Sequence, residues 1–243
     1  MKKLSIITIC YNEPHLENTC QSIINQTWQD FEWIVIDGGS GSKTQAIWDK
    51  YKYRINKFIS EKDNGIYHAM NKGIKLAVGQ YLNFLNAGDS FHDNLVLQDI
   101  FRDKKQSADV LYGDYCFSTK EKYLTICRFP DKLSMPFWMK TALNHQATFI
   151  KRQLFKKYGL YDERLKILAD YDIFLRFFTN KATFQHLNRT IVFFDENGIS
   201  TRLEDLKQKE IILIKKRYFS KEEIQKDIPE WTGEFIKAFR LSK

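Results

Sequence analysis

A chain of 243 residues that is 43% hydrophobic and 15% aromatic has enough apolar material for one large packed domain, which excludes global disorder. The net charge of +8 is uneven: residues 1–101 carry 10 Lys/Arg against 11 Asp/Glu, and residues 102–243 carry 28 against 19. A basic back half attracts nucleic acid, anionic lipid or phosphorylated ligands, and charge alone does not choose among them.

The chain opens "MKKLSIITICYNE", and its apolar run ends at Asn12-Glu13 without a small-residue cleavage site. It reads as a first strand, Leu4 to Cys10, rather than a signal peptide. Leu16, Cys20, Ile23 and Ile24 follow at helical spacing. "FEWIVID" (Phe31 to Asp37) is a second buried strand closed by "GGSGS". A helix around Thr44 to Tyr53, a short strand "KFIS" and a helix through Ala69, Ile74 and Ala77 come next, with Gly79 as the expected helix stop. "QYLNFLN" is a third long strand. This alternation calls for an α/β fold with a mostly parallel central sheet and right-handed crossovers.

In the back half, Asp109 to Phe117 reads as a strand, with "KEKYLTICRF" able to hairpin onto it. "HQATFIKRQLFKKYG" reads as a strand and a basic helix, and "LADYDIFLRFFTN" as a helix with Tyr171, Phe174, Leu175 and Phe178 on one face. "TFQHLNRTIVFF" reads as a strand pair, and the chain is helical in pattern from Arg202 onward. The expected layout is one domain over 1–200, with a front half 1–101 and a back half 102–200, and a helical C-terminal extension over 201–243. No stretch approaches the roughly 18 apolar residues of a spanning helix, so a cytoplasmic location is expected. Cys10, Cys20, Cys116 and Cys127 form no C-x-x-C pair and read as buried reduced thiols, not a zinc site.

Open parallel sheets bind ligands beyond the carboxyl ends of their strands. Three strands here end in small polar clusters, "YN", "DGGS" and "NAGD", which such a sheet brings to one rim. Turns also favour Gly, Asn and Asp, so one cluster alone would mean nothing. Asp89 is the candidate metal ligand, since magnesium or manganese is commonly held by one or two carboxylates with phosphate oxygens completing the shell. Ala87 and Gly88 leave room for a diphosphate, and Asn86 supports the site by hydrogen bonds. Asp37 ends the second strand, where a carboxylate can accept from a base or ribose. No G-x-G-x-x-G and no phosphate-loop signature occurs. Asp170 and Asp172, two apart on a helix, diverge by about 200°, so one can face a cleft while the other caps or pairs with Arg176.

"SIITICYNE", "FEWIVIDGGS", "DNGIYHAMNKGIKLAVGQYLNFLNAGD" and "HQATFIKRQLFKKYGLYDERLKILADYDIFLR", in that order, resemble the family 2 glycosyltransferases of the GT-A (nucleotide-diphospho-sugar transferase) fold. The nearest flavour is the bacterial enzymes of capsule, exopolysaccharide and lipopolysaccharide assembly, including the colanic-acid type. The resemblance covers about Leu4 to Ser200 and is weak over Thr201 to Lys243. It implies an inverting transfer of a hexosyl-type sugar from a nucleotide diphosphate, a UDP-sugar in the first place, to a hydroxyl of a glycan or lipid-diphosphate-linked acceptor. By that resemblance Thr8, Tyr11, Asp37, Asp63 and Asn86 lie on the nucleotide side, Asp89 holds Mn2+ or Mg2+, and Asp170 is the general base. His145 and Gln146 are candidates for diphosphate or acceptor contact. The departures are Gly38, Asn86 and Ala169 where the family's motifs carry acids, and His68 where an Asp is common.

The basic clusters Lys151, Arg152, Lys156, Lys157 and Lys215, Lys216, Arg217 fit a lipid-diphosphate acceptor and peripheral contact with the inner face of the cytoplasmic membrane, while "EIILIKKRYF" reads equally as a solvated amphipathic helix packed on the domain. No nucleic-acid recognition module occurs. The rival readings are a nucleotidyltransferase, which would carry a Gly-rich basic signature near its N-terminus, and a non-catalytic nucleotide-sugar binding module.

Overall fold

The computed structural model describes residues 2–103, 106–118, 124–195 and 203–227. Its front half follows the chain in simple alternation: β1 (Leu4–Cys10), α1 (Leu16–Ile24), β2 (Phe31–Asp37), α2 (Ser42–Tyr51), β3 (Lys57–Ser60), α3 (Ile66–Leu76) and β4 (Tyr81–Phe84). β5 (Ser90–Phe91), α4 (Val96–Phe101), β6 (Val110–Ser118), β7 (Leu124–Cys127) and α5 (Met135–Lys140) lead into the back half. It closes with β8 (Thr148–Lys151), α6 (Arg152–Tyr158), α7 (Ala169–Thr179), β9 (Phe184–Phe194), α8 (Glu204–Tyr218) and α9 (Lys221–Asp227).

The strands form one nine-stranded sheet in the order β3-β2-β1-β4-β8-β6-β9-β5, with β7 paired to β6. β3, β2, β1 and β4 are mutually parallel, as their βαβ connections require. Beyond them β8 runs antiparallel to both β4 and β6, while β6 and β9 are parallel. The sheet is therefore parallel in front and mixed behind. β9 is a single long strand rather than the expected pair, because Asn188, at φ 48, absorbs a register shift against β6 without a turn.

Alternation along β1 and β2 explains the layers. Leu4, Ile6, Trp33 and Val35 face a core with Leu16, Ile23 and Trp48, on the side of α1, α2 and α4. Ile7, Ile9, Ile34 and Ile36 face the opposite core with Met70 of α3, Trp138 of α5, Leu154 of α6 and Phe174 of α7. Each such fully buried side chain contributes about 1.5–3 kcal/mol. Cys10, Cys20 and Cys116 are buried free thiols, and burial pushes the thiols of Cys10 and Cys20 up to about 12.

The helical segment from Leu203 to Asp227 packs on the domain. Ile214 of α8 is fully buried in the second core, with Phe219 and Ile224 beside it. Arg217 pairs with Asp172 at 2.7 Å and Asp162 at 3.0 Å. α7 is consequently buried almost all round, and Asp172, which also pairs with Arg176, is completely inside. Among the described residues no helix is long and apolar enough to cross a membrane.

Gly79 does not stop α3, which ends at Leu76 with Ala77 already extended. It lets the chain press against β1 instead: a Cβ there would lie 2.5 Å from Ser5 N and 2.6 Å from the Leu4 carbonyl carbon. Those are backbone atoms that cannot yield. Gly79→Ala is expected to lower stability by about 1–3 kcal/mol, read as a lower urea midpoint at unchanged slope. A midpoint equal to wild type would contradict this account.

Candidate active site

The registers Cys10↔Asp37, Asp37↔Ser60 and Ile7↔Phe84 place the carboxyl ends of the four parallel strands along one rim. The loops leaving them carry most of the candidate residues. The first two loops are stitched together: Asn12 N donates to Ser40 Oγ at 2.9 Å, and Gly41 N donates to Asn12 Oδ1 at 2.8 Å. Tyr11, at the end of β1, is 70% exposed and lies against Gly38, a flat apolar surface open to a ligand ring.

Asp37 is fully buried and is the hub of the second loop. Its Oδ2 accepts from Ser60 Oγ at 2.6 Å, Gln45 Nε2 at 2.9 Å and Ser40 N at 3.0 Å. Burial alone would raise its pKa, but the hydrogen bonds from Ser40, Ser60 and Trp48 outweigh it and hold the carboxyl below its ordinary value. Thr8 is expected on the nucleotide side, and its side chain does not face the rim. It is fully buried beneath the rim, its hydroxyl accepting from Trp33 Nε1 at 3.0 Å, because alternation in β1 turns it into the α1–α2 core. Asp63 follows β3 and pairs with His68 Nδ1 at 3.0 Å and Lys72 Nζ at 2.7 Å.

The "NAGD" turn carries the densest chemistry. Gly88 sits at φ 102, a left-handed conformation suited to glycine, and its N–H donates to Thr19 Oγ1 at 3.0 Å. Asp89 is buried, accepting from Gln146 Nε2 at 2.7 Å through Oδ2 and from Asp195 N at 3.0 Å through Oδ1. Burial pushes its carboxyl up to about 7, against the pull of those two hydrogen bonds. Asn86 Nδ2 donates to His145 Nε2 at 3.0 Å, leaving His145 Nδ1 to donate to Asp170 Oδ2 at 2.8 Å. Asn86, His145 and Asp170 thus form one line, with Gln146 placing Asp89 beside it.

His145 and Gln146 lie in a short 3-10 turn ahead of β8, capped by Asn144. Asp170 stands in the first turn of α7, and its Oδ1 also receives the Tyr67 hydroxyl at 3.3 Å. Tyr67 sits in the "GIYHAMN" stretch, where its aromatic ring reads only as core. Asp195 is likewise invisible from sequence, since it acts through its backbone N–H.

Among the described residues no group of three His, Cys, Asp or Glu side chains is arranged to hold a metal. The "NAGD" turn nevertheless offers the Asp89 carboxylate and the Asn86 Oδ1, which is buried and has no partner. An unpaired buried amide oxygen and a carboxylate are oxygen ligands of the kind a hard divalent ion takes when a diphosphate supplies the rest. The donor set fits.

The basic helix α6 lies elsewhere. β8 is antiparallel to β4, so Lys151 pairs with Tyr81 at the amino end of β4, and Lys151, Arg152 and Lys156 gather with Gly79 and Gln80 on the opposite rim. That cluster does not reach the site. Asp172 does not either, being spent on its two arginines.

The sequence model of Glycosyl transferase family 2 matches residues 5–159, and the chain belongs to this family. A PGL/p-HBAD biosynthesis glycosyltransferase of Mycobacterium bovis is 32% identical over 192 residues, covering 76% of this chain and 73% of that protein. An uncharacterized glycosyltransferase of Rickettsia prowazekii is 31% identical, over 72% of this chain and 58% of its own length. Among solved structures, S. aureus TarS 1-349 in complex with UDP-GlcNAc superposes with a TM-score of 0.69 at 19% identity, covering 99% of this chain and 73% of that one. The mannosyltransferase PcManGT of Pyrobaculum calidifontis, in complex with GDP-Man and Mn2+, gives 0.65 at 13% identity, covering 88% of this chain and 63% of that one. The fold is the GT-A fold, and the protein is a glycosyltransferase.

Proposed function

We propose that this glycosyltransferase transfers a hexosyl unit from a UDP-sugar to a hydroxyl of a glycan or lipid-diphosphate-linked acceptor, with inversion, in cell-surface polysaccharide assembly. The observation that carries the reading is the connected line Asn86–His145–Asp170 lying beside the Asp89–Gln146 pair at the sheet rim. One end holds oxygen ligands next to a tight glycine turn; the other holds the Asp170 carboxylate, oriented by His145, Tyr67 and the Tyr171 N–H.

In this reading the uracil ring stacks on Tyr11, near the loop that Asp37 organises and the Asp63 side chain. The diphosphate lies beside the Asn86–Asp89 turn. Asp89 and Asn86 would hold a Mn2+ or Mg2+ ion, which when bound supplies Lewis-acid stabilisation of the charge on the departing diphosphate. Asp170 takes the proton from the acceptor hydroxyl as its oxygen attacks the anomeric carbon, the bond to the diphosphate breaks and the configuration inverts. His145 orients the Asp170 carboxylate through its Nδ1 proton, as Asn86 sets the imidazole by donating to Nε2. A UDP-sugar donor accords with the UDP-GlcNAc complex of TarS, and a divalent ion with the Mn2+ complex of PcManGT. Contact with a membrane surface would fall to the outward side of α8, where Leu213 is exposed among lysines.

The test is a turnover screen with purified protein, Mn2+ or Mg2+ and a panel of UDP-, GDP- and dTDP-sugars, reading nucleoside diphosphate release. Release from a UDP-sugar that stops on chelation is the expected result. Release from a GDP- or dTDP-sugar alone would replace the donor assignment. UDP binding without turnover, even with glycan and lipid-linked acceptors present, would favour a binding module.

A further inference from the structure

Helix α7 begins without a side-chain cap of its own: Leu168 occupies the capping position and offers no acceptor. Four N–H groups at a helix start have no partner within the helix, and a preceding turn adds more. In this protein a carboxylate from a different element meets the N–H groups that lead into the helix, the last of them at Leu168. Glu210 of α8 is buried, and its Oε1 accepts from Lys166 N at 2.5 Å while its Oε2 accepts from Ile167 N at 3.0 Å and Leu168 N at 2.9 Å. Three successive backbone N–H groups around one carboxylate make an anion nest, here occupied by the chain's own side chain.

The nest lies directly upstream of Asp170. The Ile167 carbonyl in its middle accepts the Tyr67 hydroxyl at 2.5 Å, and that same hydroxyl reaches Asp170 Oδ1 at 3.3 Å. A second anchor between the same two helices, Arg217 to Asp172, holds the first turn of α7. Both anchors come from α8, which lies outside residues 5–159 covered by the family's sequence model.

We infer that Glu210 is a positioning residue for the transfer: through its bonds to the 166–168 backbone it fixes the start of α7, the Tyr67 hydroxyl and thereby the Asp170 carboxylate against His145. The inference rests on the reading of Asp170 as the base. A surface glutamate on an ordinary packed helix would do none of this. A carboxylate is required because all three partners are donors; an amide must turn its NH2 group toward one of them.

The experiment compares Glu210→Gln, Glu210→Asp, Asp170→Asn and, as a control on the exposed side of α8, Lys209→Gln. Ring resonances of His145 are followed by NMR in the ligand-free protein, which needs no donor. They are expected to move in Glu210→Gln in the direction seen in Asp170→Asn, while Lys209→Gln leaves them in place. With the donor that turns over, Glu210→Gln should lower kcat about tenfold, with donor KM and UDP affinity within about twofold of wild type, and Glu210→Asp should fall between. Unchanged His145 resonances, or kcat within twofold of wild type, would overturn the inference. Loss of dispersed signals across the whole spectrum together with UDP binding would also overturn it, showing a folding role only. Full activity in Asp170→Asn would instead overturn the base assignment, while the NMR comparison would still report whether Glu210 positions that side chain.

Discussion

Asp170→Asn is expected to lower turnover about 10²–10⁴-fold while leaving UDP affinity within about twofold of wild type, because a general base acts on the acceptor and not on the nucleotide. Asparagine preserves the shape of the side chain and its contacts with Tyr67 and Tyr171, so folding should be little changed. The amide cannot take a proton from an attacking hydroxyl, and with its NH2 group toward His145 it would face the Nδ1 proton with a donor. Turnover is measured with saturating donor, and UDP affinity by calorimetry. Activity within tenfold of wild type would remove Asp170 from the chemistry and leave the His145 line a structural feature.

The second large effect concerns Asp89, whose carboxyl burial pushes from 3.8 up to about 7. The sign follows from proton binding in the two states. Between those values the ligand-free folded protein keeps a proton that the unfolded chain has released, so stability falls as pH rises from about 4 to 7 and stays lowered above. The cost reaches roughly 4 kcal/mol at alkaline pH. Asp89→Asn removes this titration. Its stability relative to wild type should therefore rise between pH 5 and pH 8, read as a Tm difference in the absence of nucleotide and metal, while turnover is lost. A Tm difference independent of pH would show that Asp89 is ionised at ordinary cost. Such a trade is expected of a group kept buried for a ligand rather than for folding.

Much of the site was legible in sequence because it lies at strand ends. Buried strands read as unbroken runs of Ile, Val and Leu, and a parallel sheet places all their carboxyl ends on one rim whatever the details of packing. Tyr11, Asn86 and Asp89 are placed at the rim by that rule, and the divergence of Asp170 from Asp172 follows from helical spacing. Sequence determined these because strand order and helical spacing are local properties of the chain.

Only the tertiary structure decided the rest. Thr8 reads as a rim residue, yet the pleat of β1 turns it inward to Trp33. The lysines of α6 read as part of a phosphate surface, yet β8 enters antiparallel and carries them to the far rim. Tyr67 meets Asp170 across a separation of 103 residues, and Glu210 reaches Leu168 across 42. A glutamate in a charged amphipathic helix has no local mark that distinguishes a solvated side chain from one inserted into a backbone nest. Such contacts depend on where two helices cross, and that is set by the summed packing of side chains throughout the core rather than by any short stretch of chain.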